Sequence, residues 1–286
     1  MIIAQISDTH IARSVPDAEQ RAADLARTIA DINALNPAPD AIIHTGDVTH
    51  GGRREDYELA AALLRQAHAP VYVAPGNRDD RENLRRAFSP WACRAAQTGF
   101  LTYAVDDFPV RLIAVDTVTS DSNKGDFCPE RVRRLLERID ADRAKPIVAF
   151  MHHPPFVVTV GPDALNFTSP EPMHRLQQAL QHSGRVIGVF CGHVHRSTGG
   201  WIGAIRAMVA PSTATTLRKG DFPQHLRDRP IYHLHRYDPA FGFSTEARVV
   251  AIAGDDRVAA PGARSGAGGP AGLERRRDPS EHGLER

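Results

Sequence analysis

Seven side chains of the types that bind metal ions follow apolar, β-branched segments at scattered points of the chain. They are Asp8, His10, Asp47, Asn77, His152, His193 and His195. Imidazole, carboxylate and amide oxygen groups all suit divalent cations. Seven such groups suffice for two cations that share one bridging carboxylate, whereas a single cation would not need so many. The set therefore predicts a dinuclear metal site.

Two pairs within this set have an alternating spacing. Asp8 and His10 are separated by one residue, and so are His193 and His195. Residues i and i+2 of an extended chain point the same way, so each pair can converge on one ion. The other ligands are weak signals alone, because a Gly-Asp or Gly-Asn pair is more often a turn and a lone histidine is usually structural. The metal interpretation depends on the whole set.

In the first third of the chain, short β-branched segments alternate with helical patterns. Strands are predicted at residues 2–6, 41–45 and 71–74, and helices from Asp17 onwards and at residues 56–66. Asp17 followed by Gln20 resembles a capping box at the start of the first helix. This βαβαβ order predicts neighbouring parallel strands with helices on the faces of the sheet.

The same alternation continues and then gives way to strands alone. A hairpin is predicted at residues 102–105 and 111–115, helices at 129–140 and ending at 177–182, and strands at 147–151 and 186–191. After residue 200 the helical periodicity disappears, and the segments 202–209, 231–236 and 245–252 are predicted to be antiparallel strands. The expected fold is a two-sheet α/β sandwich with a late β-rich part.

Composition limits the class of protein. The chain has 286 residues, 42% of them hydrophobic, which is enough for one large catalytic domain over residues 1–253. Its 35 Lys and Arg against 34 Asp and Glu give no electrostatic reason to expect a nucleic-acid or membrane surface. The three cysteines are too few and too irregularly spaced for a disulfide framework. The first residues are predicted to form a strand rather than a signal peptide, so a cytoplasmic protein is expected.

Residues 254–286 have a different composition. This segment contains seven Gly, three Pro and no aromatic residue, with a charged run over 274–278. It cannot bury enough apolar area to offset the entropy lost on ordering. We predict a disordered tail.

The order of the ligand motifs resembles that of the calcineurin-like metallophosphoesterase superfamily. Asp-x-His, Gly-Asp, Gly-Asn, His-x-Pro and Gly-His-x-His occur in this order between residues 8 and 195. The intervals of 39, 30, 75 and 41 residues from Asp8 to His193 are similar to those of bacterial class III cyclic-nucleotide phosphodiesterases and glycerophosphodiesterases. The resemblance extends to about residue 250. It implies a four-layer αββα sandwich of two mixed sheets with the helices outside.

The resemblance also implies how the ligands are shared. One metal ion would be held by Asp8, His10, Asp47 and His195, and the other by Asp47, Asn77, His152 and His193. Asp47 would then be the bridging carboxylate. Mn, Fe, Co and Zn all suit this mixed nitrogen and oxygen set. The implied reaction is phosphodiester hydrolysis by attack of a metal-bound hydroxide.

The chain departs from the family at one position. The usual Gly-Asn-His-Asp reads Gly76, Asn77, Arg78 and Asp79 here, so the ligand is kept and the proton donor is not. An arginine can clamp a phosphoryl oxygen but cannot donate a proton at neutral pH. Our hypothesis is that Arg78 stabilises developing charge and is held by Asp79 or Asp80. The alternative is an outward arginine in a charged turn.

The expected catalytic residues are Arg78, Asn77 and Asp47, and the expected substrate contacts are Arg78, His153 and Asn166. Residues 155–170 and 211–230 are predicted to wall the site. His44 is expected to be a buried strand residue, while His50 and Asp116 either orient ligands or belong to loops.

The favoured substrates are small diesters, either cyclic nucleotides or glycerophosphodiesters. The alternatives are a phosphomonoesterase, nucleotide pyrophosphatase or nuclease of the same fold, and a non-catalytic scaffold. Nucleic acid is not an expected partner, and a homo-oligomer is left open.

Overall fold

Two mixed β-sheets pack face to face, with helices on their outer surfaces. The computed structural model describes residues 1–89, 91, 93, 99–159 and 164–251. The strands are β1 (Ile2–Ile6), β2 (Ala41–His44), β3 (Val71–Val73), β4 (Tyr103–Val105), β5 (Arg111–Val115), β6 (Ile147–Met151), β7 (Val186–Cys191), β8 (Thr198–Ile202), β9 (Ile205–Val209), β10 (Ile231–Asp238) and β11 (Gly242–Val249). The helices are α1 (Ala18–Asn33), α2 (Arg54–Leu64), α3 (Arg81–Phe88), α4 (Pro129–Asp140) and α5 (Pro170–Gln181).

The first sheet has the strand order β11-β10-β1-β2-β3 and the second has the order β4-β5-β6-β7-β9-β8. In the first sheet, β1, β2 and β3 are parallel, which confirms the predicted βαβαβ unit. In the second sheet, β5, β6, β7 and β9 are parallel. The expected α/β sandwich of two mixed sheets is confirmed.

Alternation along β5 shows how the layers are built. Leu112 and Ala114 join the core between the two sheets. Ile113 and Val115 face the other way, into a second core that includes Leu135 of α4. Successive strand residues point to opposite faces, so a strand that is apolar at every position must be covered on both sides. Burying each such side chain stabilises the fold by about 1.5–3 kcal/mol.

One local prediction is corrected, and one helix is added. Asp17 occupies the N-cap position of α1, but its carboxylate makes no capping bond and instead pairs with Arg21 at 2.8 Å. Gln20 bonds to Asp24 rather than to the helix start, so the capping box is wrong. Helix α3 was not predicted, although Asp80 caps it by accepting a hydrogen bond from the backbone N–H of Asn83 at 2.8 Å.

The late β-rich part also differs from the prediction. The segment expected as one strand at 202–209 is a hairpin of β8 and β9 that turns at Gly203, where φ is +57°. Strand β9 pairs with β7 in parallel, so an all-antiparallel late part is wrong. Strands β10 and β11 are antiparallel, as expected. The predicted tail lies outside the described residues and stays a prediction.

Candidate metal centre

The parallel strands of both sheets end on the same side of the molecule. Asp8 and His10 follow β1, Asp47 follows β2 and Asn77 follows β3, whereas His152 follows β6 and the pair His193 and His195 follows β7. The carboxyl ends of parallel strands are where open α/β sheets place functional side chains. The seven predicted ligands therefore meet, four of them from the first sheet and three from the second.

The first cluster consists of Asp8, His10, Asp47 and His195. His10 Nε2 lies 3.4 Å from Asp47 Oδ2 and 3.2 Å from His195 Nε2. His195 Nε2 is 3.2 Å from Asp8 Oδ1. One atom from each of the four residues lies within 4.8 Å of all the others. This is the spacing expected of groups that can share one ion.

The second cluster is formed by Asp47, Asn77, His152 and His193. Asn77 Oδ1 lies 3.0 Å from His152 Nε2 and 2.9 Å from His193 Nδ1. His152 Nε2 is 3.5 Å from Asp47 Oδ1, while the other oxygen of Asp47 faces His10. The carboxylate of Asp47 thus faces both clusters, with one oxygen toward each.

The backbone at the site is unusual. Five of the seven residues have positive φ values: Asp8 at 52°, His10 at 44°, Asp47 at 51°, His193 at 74° and His195 at 60°. The left-handed region costs a non-glycine residue about 1 kcal/mol or more. Such conformations persist only where the surroundings impose them, and they cluster at functional sites.

Two glycines let the strand ends approach each other. A Cβ on Gly76 would collide with the backbone N and Oδ1 of Asp47. A Cβ on Gly192 would collide with Ser7 Oγ and lie 2.7 Å from Asp8 Oδ2. No other residue type fits where backbone must come this close, so the Gly-Asn and Gly-His motifs are needed for packing as much as for ligation.

Hydrogen bonds to backbone carbonyls set the tautomers of two histidines. His152 Nδ1 is 2.9 Å from the carbonyl oxygen of Thr45, and His195 Nδ1 is 2.9 Å from that of Leu217. A carbonyl can only accept, so Nδ1 of each ring carries a proton and Nε2 is the nitrogen that faces the cluster. Burial lowers the pKa of His193 to about 3, which keeps this imidazole neutral, whereas at His195 the carboxylate of Asp8 outweighs burial and raises the pKa.

The pKa values of Asp8 and Asp47 shift in opposite directions. Burial would raise the pKa of Asp8, but the adjacent His195 outweighs it and holds this pKa well below the usual range. Burial and then the charge of Asp8 raise the pKa of Asp47. Two carboxylates this close do not ionise together readily unless a positive charge lies between them.

One buried atom of the first cluster supports a cation. Among the described residues, Asp8 Oδ1 is buried without a hydrogen-bond partner. It lies 3.2 Å from His195 Nε2, so either a proton on that nitrogen or a cation must lie between the two atoms. The donor set of imidazole nitrogens, carboxylates and one amide oxygen fits divalent transition metals.

Arg78 is placed differently from the hypothesis. Its side chain is exposed and makes no hydrogen bond or ion pair with any described residue. Asp79 is buried and accepts hydrogen bonds from the backbone N–H groups of Val48, Thr49 and Gly76. Asp80 caps α3. Neither acid holds the guanidinium, because both are committed to the backbone.

Asp79 connects two loops of the site, a role that its place in the Gly-Asn-Arg-Asp segment does not predict. Its carboxylate ties the loop after β2, which carries Asp47, to the loop after β3, which carries Asn77. The hydroxyl of Tyr57 also donates to it at 2.9 Å. A buried carboxylate that collects several backbone donors has no local sequence signal beyond its place after the Gly-Asn motif.

His153 does not match its expected role in substrate contact. It is fully buried, with Nδ1 2.8 Å from Thr117 Oγ1 and Nε2 3.0 Å from the carbonyl oxygen of Asn123. Both ring nitrogens are therefore used within the protein, although the ring also packs on His193. Asn166 is buried, with Nδ2 unpartnered among the described residues.

The remaining candidates are structural or peripheral. His44 is buried and bonds through Nε2 to the hydroxyl of Thr9, as expected of a strand residue. Asp116 forms a bidentate ion pair with Arg81 at 2.7 and 2.9 Å. His50 lies beside His10, with ring centroids 5.7 Å apart, and bonds to Arg21 rather than to a ligand.

The predicted walls are only partly described. In the later wall, the hydroxyl of Ser212 donates to the carbonyl oxygen of Asp8 at 2.8 Å. The backbone N–H of Lys219 donates to the carbonyl oxygen of His195 at 2.9 Å. Residues 160–163 of the earlier wall lie outside the described residues. No helix in the described part of the chain is long and apolar enough to cross a membrane.

Comparison with known proteins identifies relatives at two levels of sequence identity. The chain is 31% identical over 259 residues to a probable glycerophosphodiester phosphodiesterase GpdQ of Arcobacter nitrofigilis, covering 87% of this chain and 93% of the relative. It is 24% identical to the 3',5'-cyclic adenosine monophosphate phosphodiesterase CpdA of Pseudomonas aeruginosa, covering 77% of this chain and 79% of the relative.

A solved structure agrees in fold. A dimetal phosphatase from Danio rerio superposes with a TM-score of 0.61 at 12% identity, covering 87% of this chain and 98% of the other. The family model described as calcineurin-like phosphoesterase matches residues 1–197, which contain all seven residues of the two clusters. Motif order, fold and sequence similarity agree, and the chain belongs to the calcineurin-like phosphoesterase family.

Proposed function

We propose that this metallophosphoesterase hydrolyses small phosphodiesters at the paired clusters, with Asp47 shared between two divalent cations. The observation that carries the proposal is the position of Asp47, whose two oxygens face His10 at 3.4 Å and His152 at 3.5 Å. Relatives whose names specify diester substrates support the choice of a diester.

The seven clustered residues would hold the cations. Asp8, His10, Asp47 and His195 would hold one, and Asp47, Asn77, His152 and His193 the other. Mn, Fe, Co and Zn remain the candidate metals for this donor set. Two bound divalent cations neutralise phosphate oxygens and acidify a water molecule so that it can attack phosphorus near neutral pH.

The protein residues have separate roles in this scheme. Asp47 sets the separation of the two halves of the site, and Asn77 supplies the single amide oxygen of the second cluster. The exposed guanidinium of Arg78 follows Asn77 directly and is free among the described residues to pair with a phosphoryl oxygen. Because it stays protonated, it stabilises charge and does not protonate a leaving alkoxide.

The substrate choice lies between glycerophosphodiesters and cyclic nucleotides. The GpdQ relative is more similar to this chain than the CpdA relative, and this favours a glycerophosphodiester. The formal net charge of +1 offers no reason to expect a nucleic-acid substrate. A homo-oligomer, a cytoplasmic location, and substrate contact by Asn166 stay predictions.

A substrate panel tests the proposal. Purified protein reconstituted with Mn²⁺ would be assayed on glycerophosphocholine, cyclic AMP, bis(p-nitrophenyl) phosphate and p-nitrophenyl phosphate, with Asp47→Ala as the control. We expect turnover of the diesters that exceeds turnover of the monoester and is lost in Asp47→Ala. Preferential monoester cleavage would favour the phosphomonoesterase alternative. Stable metal loading without turnover of any substrate would favour a scaffold.

A further inference from the structure

Gln5 is a polar side chain within the apolar core between the two sheets. It lies on β1, three residues before Asp8, and has no exposed surface. Its amide Nε2 donates to Thr45 Oγ1 at 3.1 Å and to the carbonyl oxygen of Cys191 at 2.8 Å. Its Oε1 accepts from His235 Nε2 at 2.9 Å. A buried amide without such partners would strongly destabilise the fold.

These bonds form a chain with one consistent direction. The carbonyl of Cys191 can only accept, so the amide nitrogen of Gln5 must face it and Oε1 must face His235. His235 then carries its proton on Nε2 and accepts at Nδ1 from the hydroxyl of Thr245, 2.8 Å away. Its ring stacks on Phe190 with centroids 3.6 Å apart and an interplanar angle of 9°. The orientation of Gln5 is therefore fixed by both sheets.

Each strand end that Gln5 contacts leads directly to metal-site residues. Gln5 itself precedes Asp8 and His10, Thr45 precedes Asp47, and Cys191 precedes His193. The carbonyl of Thr45 also accepts from His152 Nδ1. Thr45 directly follows β2 of the first sheet and Cys191 ends β7 of the second, so one amide group connects strand ends on both sides of the site.

The link matters because each cluster uses both sheets. His195 of the second sheet meets Asp8 of the first, and His193 meets Asn77. Apolar packing between sheets is not directional, and it permits small shifts of one sheet over the other. A hydrogen-bonded group with fixed geometry resists those shifts.

We propose that Gln5 is a positioning residue, whose amide holds the strand ends of the two sheets at the separation at which both clusters bind a cation. This inference rests on the proposed function. Groups that orient metal ligands from outside typically change metal affinity by 10–100-fold when they are removed.

The test compares Gln5→Met with Ile3→Ala. Methionine keeps the length of the side chain and removes all three hydrogen bonds. Ile3 is buried on the same strand two residues away, so its side chain points to the same face as that of Gln5. Because this side chain is aliphatic, it makes no hydrogen bond. For each protein, the melting temperature would be measured in EDTA. Binding of two equivalents of Mn²⁺ would be followed by calorimetry and by the EPR signal of a coupled Mn²⁺ pair.

In Gln5→Met we expect the affinity for the second Mn²⁺ ion to fall about tenfold or more, and the EPR signal of the coupled Mn²⁺ pair to be lost. Ile3→Ala should lower the melting temperature but keep both affinities within about twofold of wild type, since its loss is one of packing alone. Unchanged Mn²⁺ binding in Gln5→Met, or equal weakening in Ile3→Ala, would overturn the inference.

A second variant keeps the test decisive if Gln5→Met does not fold. Thr45→Val removes one hydroxyl acceptor of Gln5 and keeps the carbonyl that orients His152. We expect a several-fold weakening of the second equivalent, and no change would count against the inference. If wild type itself binds no Mn²⁺ pair, the proposed function fails and this inference fails with it. If wild type binds the pair and both variants match it, only the role of Gln5 is wrong.

Discussion

The backbone N–H of Arg78 donates a hydrogen bond to Asp47 Oδ1 at 2.7 Å. The residue that replaces the usual histidine of the family is thus attached through its main chain to the carboxylate shared by both clusters. Its side chain stays exposed. Any side chain at position 78 therefore starts from a fixed point at the edge of the site, so exchanging it changes the chemistry there while this backbone contact remains.

The first prediction concerns the leaving group. Without a proton donor at position 78, wild type should cleave aryl diesters much faster than alkyl diesters, giving a steep dependence of kcat/KM on the pKa of the leaving alcohol. Arg78→His should make this dependence shallower by gaining activity on alkyl diesters. Arg78→Ala is the matched control and should remain steep. An equally shallow dependence in wild type and Arg78→His would contradict the role assigned to Arg78.

The second prediction concerns metal stoichiometry. Asp47→Ala should lose tight binding of both cations, because its oxygens face both clusters. Asn77→Ala should weaken only one equivalent, since Asn77 contacts only the second cluster. Diester turnover should fall by on the order of a thousandfold in Asp47→Ala. Metal analysis after gel filtration checks this, and identical metal content in the two variants would refute a bridging Asp47.

The third prediction concerns Gly76. Gly76→Ala should displace Asp47, because the added methyl group would collide with its backbone and carboxylate. We expect a loss of stability of about 1–3 kcal/mol together with weaker metal binding. Gly51→Ala is the matched control, since a Cβ there meets nothing within 4 Å. Denaturant melts in EDTA and with Mn²⁺ would separate the two effects, and equal behaviour of both variants would argue against the close approach.

The fourth prediction concerns pH. His233 on β10 is buried and bonds through Nε2 to Ser197, and burial lowers its pKa to about 4. An unfolded histidine titrates near 6.5, so between these values the unfolded chain binds the extra proton. The contribution of a neutral His233 to the free energy of unfolding is therefore fully present above pH 6.5 and is lost as the pH falls towards 4. The complete loss amounts to about 3 kcal/mol.

Urea melts of wild type and His233→Gln in EDTA, at pH 7.5 and pH 5, check this. The neighbouring His235 is also buried, with its ring centroid 5.8 Å from that of His233, and burial lowers its pKa too. Because His235 is present in both wild type and His233→Gln, its contribution cancels in the comparison. The ligand histidines are likewise common to both. Wild type should lose more stability than the variant between the two pH values. Equal losses would show that His233 is not responsible.

Much of this architecture could be predicted from local patterns. The runs that became β1, β5, β6 and β7 were apolar at nearly every position, and Pro129 marked the start of α4. Helix α3 was missed because its arginine-rich sequence resembles a solvated loop, although Asp80 is a typical N-cap. The parallel pairing of β9 with β7, which places Gly188 opposite Arg206, crosses over the intervening β8, and no local pattern encodes it.

The metal site likewise contains residues that could be predicted from the sequence and residues that could not. Its ligands follow strands and form motifs, so residue type and order were enough to predict that they meet. Gln5 belongs to no motif, and the motif that contains Asp79 does not show what its carboxylate binds, because the roles of both residues depend on partners brought together only by folding. His153 lies next to a ligand in sequence, but only the folded structure shows that its ring nitrogens bond to Thr117 and Asn123.

Five ligand residues adopt positive φ angles that lower stability but belong to the site proposed to carry activity. They are Asp8, His10, Asp47, His193 and His195. At these positions glycine would relieve backbone strain, so a substitution that destroys the metal centre can make the metal-free protein harder to unfold. Selection for thermal stability alone would therefore tend to erase this site, and only selection for turnover would keep it. A stabilised variant obtained by screening for solubility or melting temperature should have these five positions checked first.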